Sequence, residues 1–313
     1  MKQPLLLTIL AGVVFTLPVM PLMAQAAPEA QVQSQSTQGQ ADSQREESES
    51  PFGENQTNRD KPGLPAAAPM LPADPNTPAG TTTVNPNDGL TYVWIPAGKF
   101  VMGCSPGDTN CDPDEKPREF TIDHGYWMGQ TLVTVRAYKR FAVDRKLAMP
   151  LPPIFDPEWS RDDTPITNVS WNDAHDFCAQ MGGRLPTEAE WEYAGRAGSS
   201  AVRYGKIDDI AWYFTYGVAE THAVAQKRPN AFGLFDMLGN VWELVNDWYA
   251  PDYYPASPSQ DPTGPASGTF RVLRGGSWFE HPRYVKVSYR FRDFPDNRYD
   301  TYGFRCVRDA IGP

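Results

Sequence analysis

Between Ser199 and Pro265, glycine, proline, aspartate and aromatic residues leave few long periodic apolar runs. Such a stretch cannot supply the long helices or strands of a layered fold and reads as loops and short strands. A domain built this way gains much from cross-links and bound ions, which restrict long loops. All nine tryptophans fall after residue 88, and residues 89–313 are long enough for one substantial core. The expectation is a single α+β domain of low regular structure.

Short elements can be placed within it. Thr91 to Gly103 holds two runs of β-favouring residues separated by Pro96-Ala97-Gly98, which predicts a pair of strands across a turn. Val133 to Arg145 has apolar residues Val135, Tyr138, Phe141 and Ala142 at helical spacing, with Thr134 as cap. Ser170-Trp-Asn-Asp173 predicts a capping-box-like start to a helix carrying Trp171, Ala174, Phe177, Cys178 and Met181, ended by Gly182-Gly183. Thr187-Glu-Ala-Glu190 is a full capping box. Carboxylates at Glu188, Glu190 and Glu192 also favour the helix dipole, so they read as structural before catalytic.

Met1-Lys2, the apolar stretch Leu5 to Met23 and the small-x-small triplet Ala24-Gln25-Ala26 predict a signal peptide over 1–26. Pro18 and Pro21 interrupt the stretch and no basic cluster follows, so no membrane span is expected after cleavage. A periplasmic or secreted location is the corollary. Residues 27–88 read as a disordered tether rich in Gln, Ser and Pro, with Phe52 its only aromatic residue. From residue 28 to 88, nine acidic residues against three basic ones account for much of the net charge of -10, which argues against a nucleic-acid partner. A monomer is expected.

Cys104, Cys111, Cys178 and Cys306 are even in number in a chain that carries an export signal, which predicts two disulfides. Three pairings are open. The gap between Cys104 and Cys111 fits neither a CxxC motif nor common zinc spacing. His124, His175, His222 and His281 share no short metal-ligand spacing.

The segment from Arg274-Gly-Gly-Ser-Trp278 to Gly303-Phe-Arg-Cys306 carries aromatic or charged residues at most positions between its glycines. Together with Arg184-Leu-Pro-Thr-Glu-Ala-Glu-Trp-Glu-Tyr193 and Gly239-Asn-Val-Trp-Glu243, it resembles the formylglycine-generating enzyme family, or sulfatase-modifying factor domains, over roughly residues 90 to 310. The resemblance implies a C-type-lectin-like fold with short antiparallel strands and a few helices. It implies that Cys178 pairs with Cys306, which leaves Cys104 to Cys111. It also implies a structural calcium loop with ligands from Asp236, Gly239, Val241 and Glu243, oxygen donors that suit a hard cation. A second calcium site would map near Asp209 and Ile210, but no carboxylate stands at 216–218, so that site is not expected.

The family's oxidases hold copper through a cysteine pair between the last two blocks, yet residues 278–305 contain no cysteine. Val285 and a position near Arg290 correspond instead. Cu(I) is suited by soft thiolates, so neither copper nor conversion of a sulfatase cysteine to formylglycine is expected.

Two readings follow. In one, the chain is an exported oxidoreductase-like modifier of a peptide-derived or small-molecule substrate, as in relatives that act in siderophore maturation. His281, Tyr284, Tyr289 and Arg292 are then the candidate catalytic residues, since tyrosine and histidine transfer protons and arginine fixes carboxylates. In the other, the chain is a binding or display module for a protein, peptide or glycan, as in variable proteins diversified by retroelements. Trp278, Phe279, His281, Tyr284, Tyr289, Phe291, Asp293, Phe294, Tyr299 and Asp300 would then contact the ligand, rigid aromatic side chains giving contact area at little entropic cost.

Overall fold

The structure, a computed structural model, describes residues 76–215 and 219–310. The expected signal peptide, most of the tether and positions 216–218 lie outside the described residues. In chain order the elements are β1 (Thr82–Val84), β2 (Thr91–Ile95), β3 (Gly98–Met102), β4 (Arg118–Ile122), β5 (Tyr126–Gly129), α1 (Val135–Arg145), α2 (Trp171–Gln180), α3 (Glu188–Arg196), α4 (Ile207–Ile210), β6 (Trp242–Trp248), α5 (Tyr253–Ala256), β7 (Arg271–Arg274), β8 (Arg290–Asp293), β9 (Tyr302–Gly303) and β10 (Val307–Asp309).

Four of the five residues of β2 are buried, so both faces of this strand need cover. It lies between β1 and β5, and β5 pairs onward with β10, all antiparallel. The predicted pairing of β2 with β3 across Pro96 is therefore corrected: both strands form, but in different sheets. β3 is only partly buried and pairs with β4. Pro96 offers no amide proton, and a Cβ on Gly98 would stand 2.3 Å from the Tyr193 hydroxyl, so the chain leaves the first sheet here. A third sheet has the order β8-β7-β6-β9, with β9 parallel to β6.

The tether boundary is also corrected. Residues 82–84 form β1, and Asn85 and Asp88 are buried. Composition misses this because the segment folds through hydrogen bonds rather than apolar burial: Asn85 Nδ2 donates to Asp88 Oδ2, and Asp88 accepts from the Leu90 amide and the Tyr92 hydroxyl.

All three predicted helix caps form. Thr134 accepts from the Ala137 amide, while Ser170 with Asp173 and Thr187 with Glu190 make reciprocal boxes. The disulfides are Cys104–Cys111 and Cys178–Cys306, the pairing implied by the resemblance. The second ties α2 to the start of β10 across 128 residues, a closure that restricts the unfolded chain by about 4–5 kcal/mol in the chain-entropy account. Trp94, Trp127, Trp159, Trp171 and Trp242 belong to one buried cluster and Trp191 to another.

Charges are buried with them. Glu188 and Glu192, on one face of α3, meet Arg274 from β7, and Arg290 from β8 donates both Nε (2.8 Å) and an Nη (2.9 Å) to Glu188. Arg196 bonds Glu192 from one turn along α3. A capping-box helix thus carries an anionic seam into the core, and arginines of the third sheet neutralise it. Removing one partner of a buried ion pair leaves an uncompensated charge, so Arg274→Met is expected to lower unfolding free energy by about 3–5 kcal/mol in urea titrations. Burial alone would raise the Glu188 pKa, but Arg290 and Arg274 hold it below the ordinary value of 4.5. Its contribution is then present above pH 4.5 and lost as pH falls through the depressed value. The acid limb of wild-type stability should accordingly be steeper than that of Glu188→Gln.

Candidate functional site

The working segment begins where β7 ends. Gly275 and Gly276 have φ of 95° and 81°, and a Cβ on either would come within 2.9 Å of the Met237 carbonyl or the Val285 side chain. Only glycine lets the chain turn back this tightly. Arg274 then holds the returning strand by its backbone: one Nη donates to the Ser288 and Tyr289 carbonyls (2.9 and 2.8 Å), the other to the Val287 carbonyl (2.6 Å). Val285, Lys286, Val287 and Ser288 are buried in consequence. Val285 is a core residue.

Outward from this pinned backbone stand Phe279, Phe294 and Tyr299, 58%, 52% and 49% exposed. Phe279 packs edge-on against Phe214 at 5.9 Å and against Trp278 at 5.3 Å, and Trp278 meets Phe155 at 5.8 Å. Beside Phe155, Ile154 is 96% exposed, and Leu151 is exposed too. The Leu151 carbonyl accepts from Asn168, whose own amide donates to the Tyr299 carbonyl. Two stretches distant in sequence, 151–155 and 278–299, are thus tied together by the Phe155–Trp278 contact and through Asn168. Sequence reasoning missed Phe155, Ile154, Leu151 and Phe214. The available signal was a run of apolar residues among Pro150, Pro152 and Pro153, where no helix or strand can bury them.

The predicted contact residues divide. Trp278 is buried and donates Nε1 to the Asp300 carbonyl, so it supports the face from beneath. Asp293 is committed to Tyr302 (2.7 Å) and Asn297 (2.8 Å) and acts as a brace. Burial raises the Asp300 pKa. Of the four catalytic candidates, Tyr284 and Tyr289 are in contact and the His281 carbonyl accepts from the Tyr284 amide. Tyr284 and Tyr289 pair at 5.0 Å, and Tyr289 and Phe291 both pack on Trp242, whose Nε1 donates to Glu280 (3.2 Å). Burial, with Asp112 next, pushes the Tyr289 pKa up to about 12. Arg292 is spent on the Tyr249 hydroxyl, which donates to Asp114. His281 is exposed, its Nδ1 accepting from the Arg283 amide.

The implied calcium loop is tight: Asp236, Gly239 and Asn240 all have positive φ. Asp236 and Glu243 are both buried, and Arg305 faces Glu243 with two hydrogen bonds of 2.6 and 2.9 Å. Asp236 accepts from the Ala225 amide and has no ion-pair partner among the described residues. Two interior carboxylates thus stand against one guanidinium, with both oxygens of Glu243 and the Gly239 carbonyl already accepting hydrogen bonds.

Residues 78–310 match the family model for the sulfatase-modifying factor enzyme 1-like domain. The formylglycine-generating enzyme of Streptomyces coelicolor is 41% identical over 180 residues, covering 49% of this chain and 57% of that protein. The chain therefore spans little more than half the length of that relative. PvdO from Pseudomonas aeruginosa has a similar structure, with a TM-score of 0.68 at 26% identity over 74% of this chain and 99% of PvdO. Treponema denticola variable protein 1 has a TM-score of 0.63, also at 26% identity, over 74% of this chain and all of that protein. On the family match, the three sequence blocks and the fold, the chain belongs to the sulfatase-modifying factor family.

Proposed function

We propose that this chain is an exported binding module of its family, and that the apolar aromatic face around Phe279, Phe155, Ile154 and Tyr299 holds a peptide segment of a partner protein. The carrying observation is the exposure of large apolar side chains on two separate stretches that meet through Phe155 and Trp278, where a folded monomer would otherwise bury them. Aromatic anchors of this type dominate peptide and protein interfaces. Likeness to variable protein 1 supports a display role, and the two disulfides support an oxidising compartment. No helix among the described residues is long and apolar enough to cross a membrane.

A second reading keeps chemistry at the tyrosine pair. Its support is the contact of Tyr284 with Tyr289 and the closeness of Glu280 to the same aromatic cluster. Turnover of a peptide-derived or small-molecule substrate, lost in Tyr289→Phe, would favour it over binding.

Panning displayed random peptides against residues 76–313 tests the binding reading. Enriched peptides should lose affinity at least about tenfold on Phe279→Ser or Tyr299→Ala, while these exposed changes alter stability by no more than about 0.5 kcal/mol. Enrichment insensitive to both substitutions would rule out this face.

Calcium in the 236–243 loop is part of the same proposal, as a brace beneath the platform. Glu243 is a poor probe, because its substitution also strands buried Arg305. Asp236 is the better one. Calcium should raise the melting temperature of the wild type, and Asp236→Ala should abolish that increment whatever its own baseline. An equal increment in the variant, or none in the wild type, would remove calcium from this loop.

A further inference from the structure

Away from the aromatic face, a cleft of about 470 Å³ opens beside the 104–111 loop, walled by Phe100, Val101, Pro106, Pro117 and Tyr193. That volume suits a small molecule. Cys104 lines this cleft and Cys111 does not. Cys111 faces the other way, toward Lys286, whose Nζ lies 3.8 Å from its Sγ. Lys286 is almost wholly buried, a rare place for a lysine. Its ammonium donates to Asp108 Oδ2 (3.0 Å) and the Asn110 carbonyl (2.9 Å), both inside the disulfide ring, and pairs with Glu115 at 2.9 Å. Arg203 also acts on Asp108 through its charge. The bridge is therefore asymmetric, with one sulfur on a cleft and the other against a cation.

In thiol–disulfide exchange, the sulfur that leaves does so as a thiolate, and stabilising that thiolate speeds the exchange. We propose that Cys104–Cys111 is a thiol-exchange site for a small thiol that carries a carboxylate. The incoming thiolate attacks Cys104 Sγ from the cleft, a new sulfur–sulfur bond forms there, and the Cys104–Cys111 bond breaks. The electron pair leaves on Cys111 Sγ, beside the Lys286 ammonium. The product is a mixed disulfide on Cys104 with a Cys111 thiolate; the small thiol's sulfur is oxidised to the disulfide level as that of Cys111 is reduced, so the thiol is the only co-reactant. The carboxylate preference comes from Lys99, an exposed lysine on the rim with no ion-pair partner among the described residues. Cys178 and Cys306 serve as an internal control, since both are fully buried. The site is independent of whatever the aromatic face binds.

The folded full chain would be incubated with N-acetylcysteine or with cysteamine at matched thiolate concentration, quenched by alkylation and mapped by mass spectrometry. The expected product is an N-acetylcysteine adduct on Cys104, alkylated Cys111 and an intact Cys178–Cys306 bridge, with exchange at least about tenfold faster than at the buried bridge. Lys286→Gln should slow exchange without moving the adduct. Because Lys286 also holds its loop, the rim variant Lys99→Glu gives a separate test and should reverse the preference toward cysteamine. An adduct on Cys111, loss of both bridges together, or no adduct before the protein unfolds would overturn the exchange site. Equal rates for the two thiols in the wild type would overturn the carboxylate assignment.

Discussion

The rest of the structure hangs on Arg274. One guanidinium, buried at the end of β7, binds the carboxylates of α3 on one side and three consecutive carbonyls, Val287 to Tyr289, on the other. Buried arginine is tolerated only when nearly every donor has a partner, and here the partners are the helix that closes the core and the backbone of the working segment. Arg290 repeats the arrangement one strand over, joining Glu188 to β8. A chain with so little regular structure fixes the connection between β7 and β8 by anchoring carbonyls to charges instead of by strand pairing alone.

This explains how the aromatic face can exist. Large apolar side chains on a mobile loop would collapse inward, whereas here the positions that could collapse are already filled by Val285 and Val287, and Lys286 is caged between Asp108 and Glu115. Phe279, Phe294 and Tyr299 therefore stay outside. The segment is thus packed on its inner side through Val285 and Val287 and exposed on its outer side. Trp278, between the two, packs on Phe155 and bonds the Asp300 carbonyl, which couples the 151–155 loop to the platform.

Local physics was legible in the residues. Thr134, Ser170 with Asp173 and Thr187 with Glu190 cap helices where their spacing says they should, because a cap depends on neighbours within four residues. The disulfide pairing was open from spacing alone and followed from resemblance. Non-local features were not legible. Within Thr91–Met102 only Pro96 marks where β3 leaves β2; that β3 joins β4 rests on Tyr193 against Gly98 and on the strands that flank β2. The buried role of Asn85 and Asp88 was hidden by a composition that resembles a tether. Of the site, the 278–299 half was visible as an aromatic segment, while the 151–155 half was not, because only the fold brings the two together.

The central claim is that residues 285–293 form a rigid platform held by buried arginines, with mobility confined to the side chains it presents. Hydrogen–deuterium exchange on the folded protein measures this directly. The account predicts that the amides of Val287 and of β8 exchange as slowly as those of β6, the strand at the centre of the third sheet. Exchange of that segment at the rate of an unstructured peptide, with β6 protected, would contradict it.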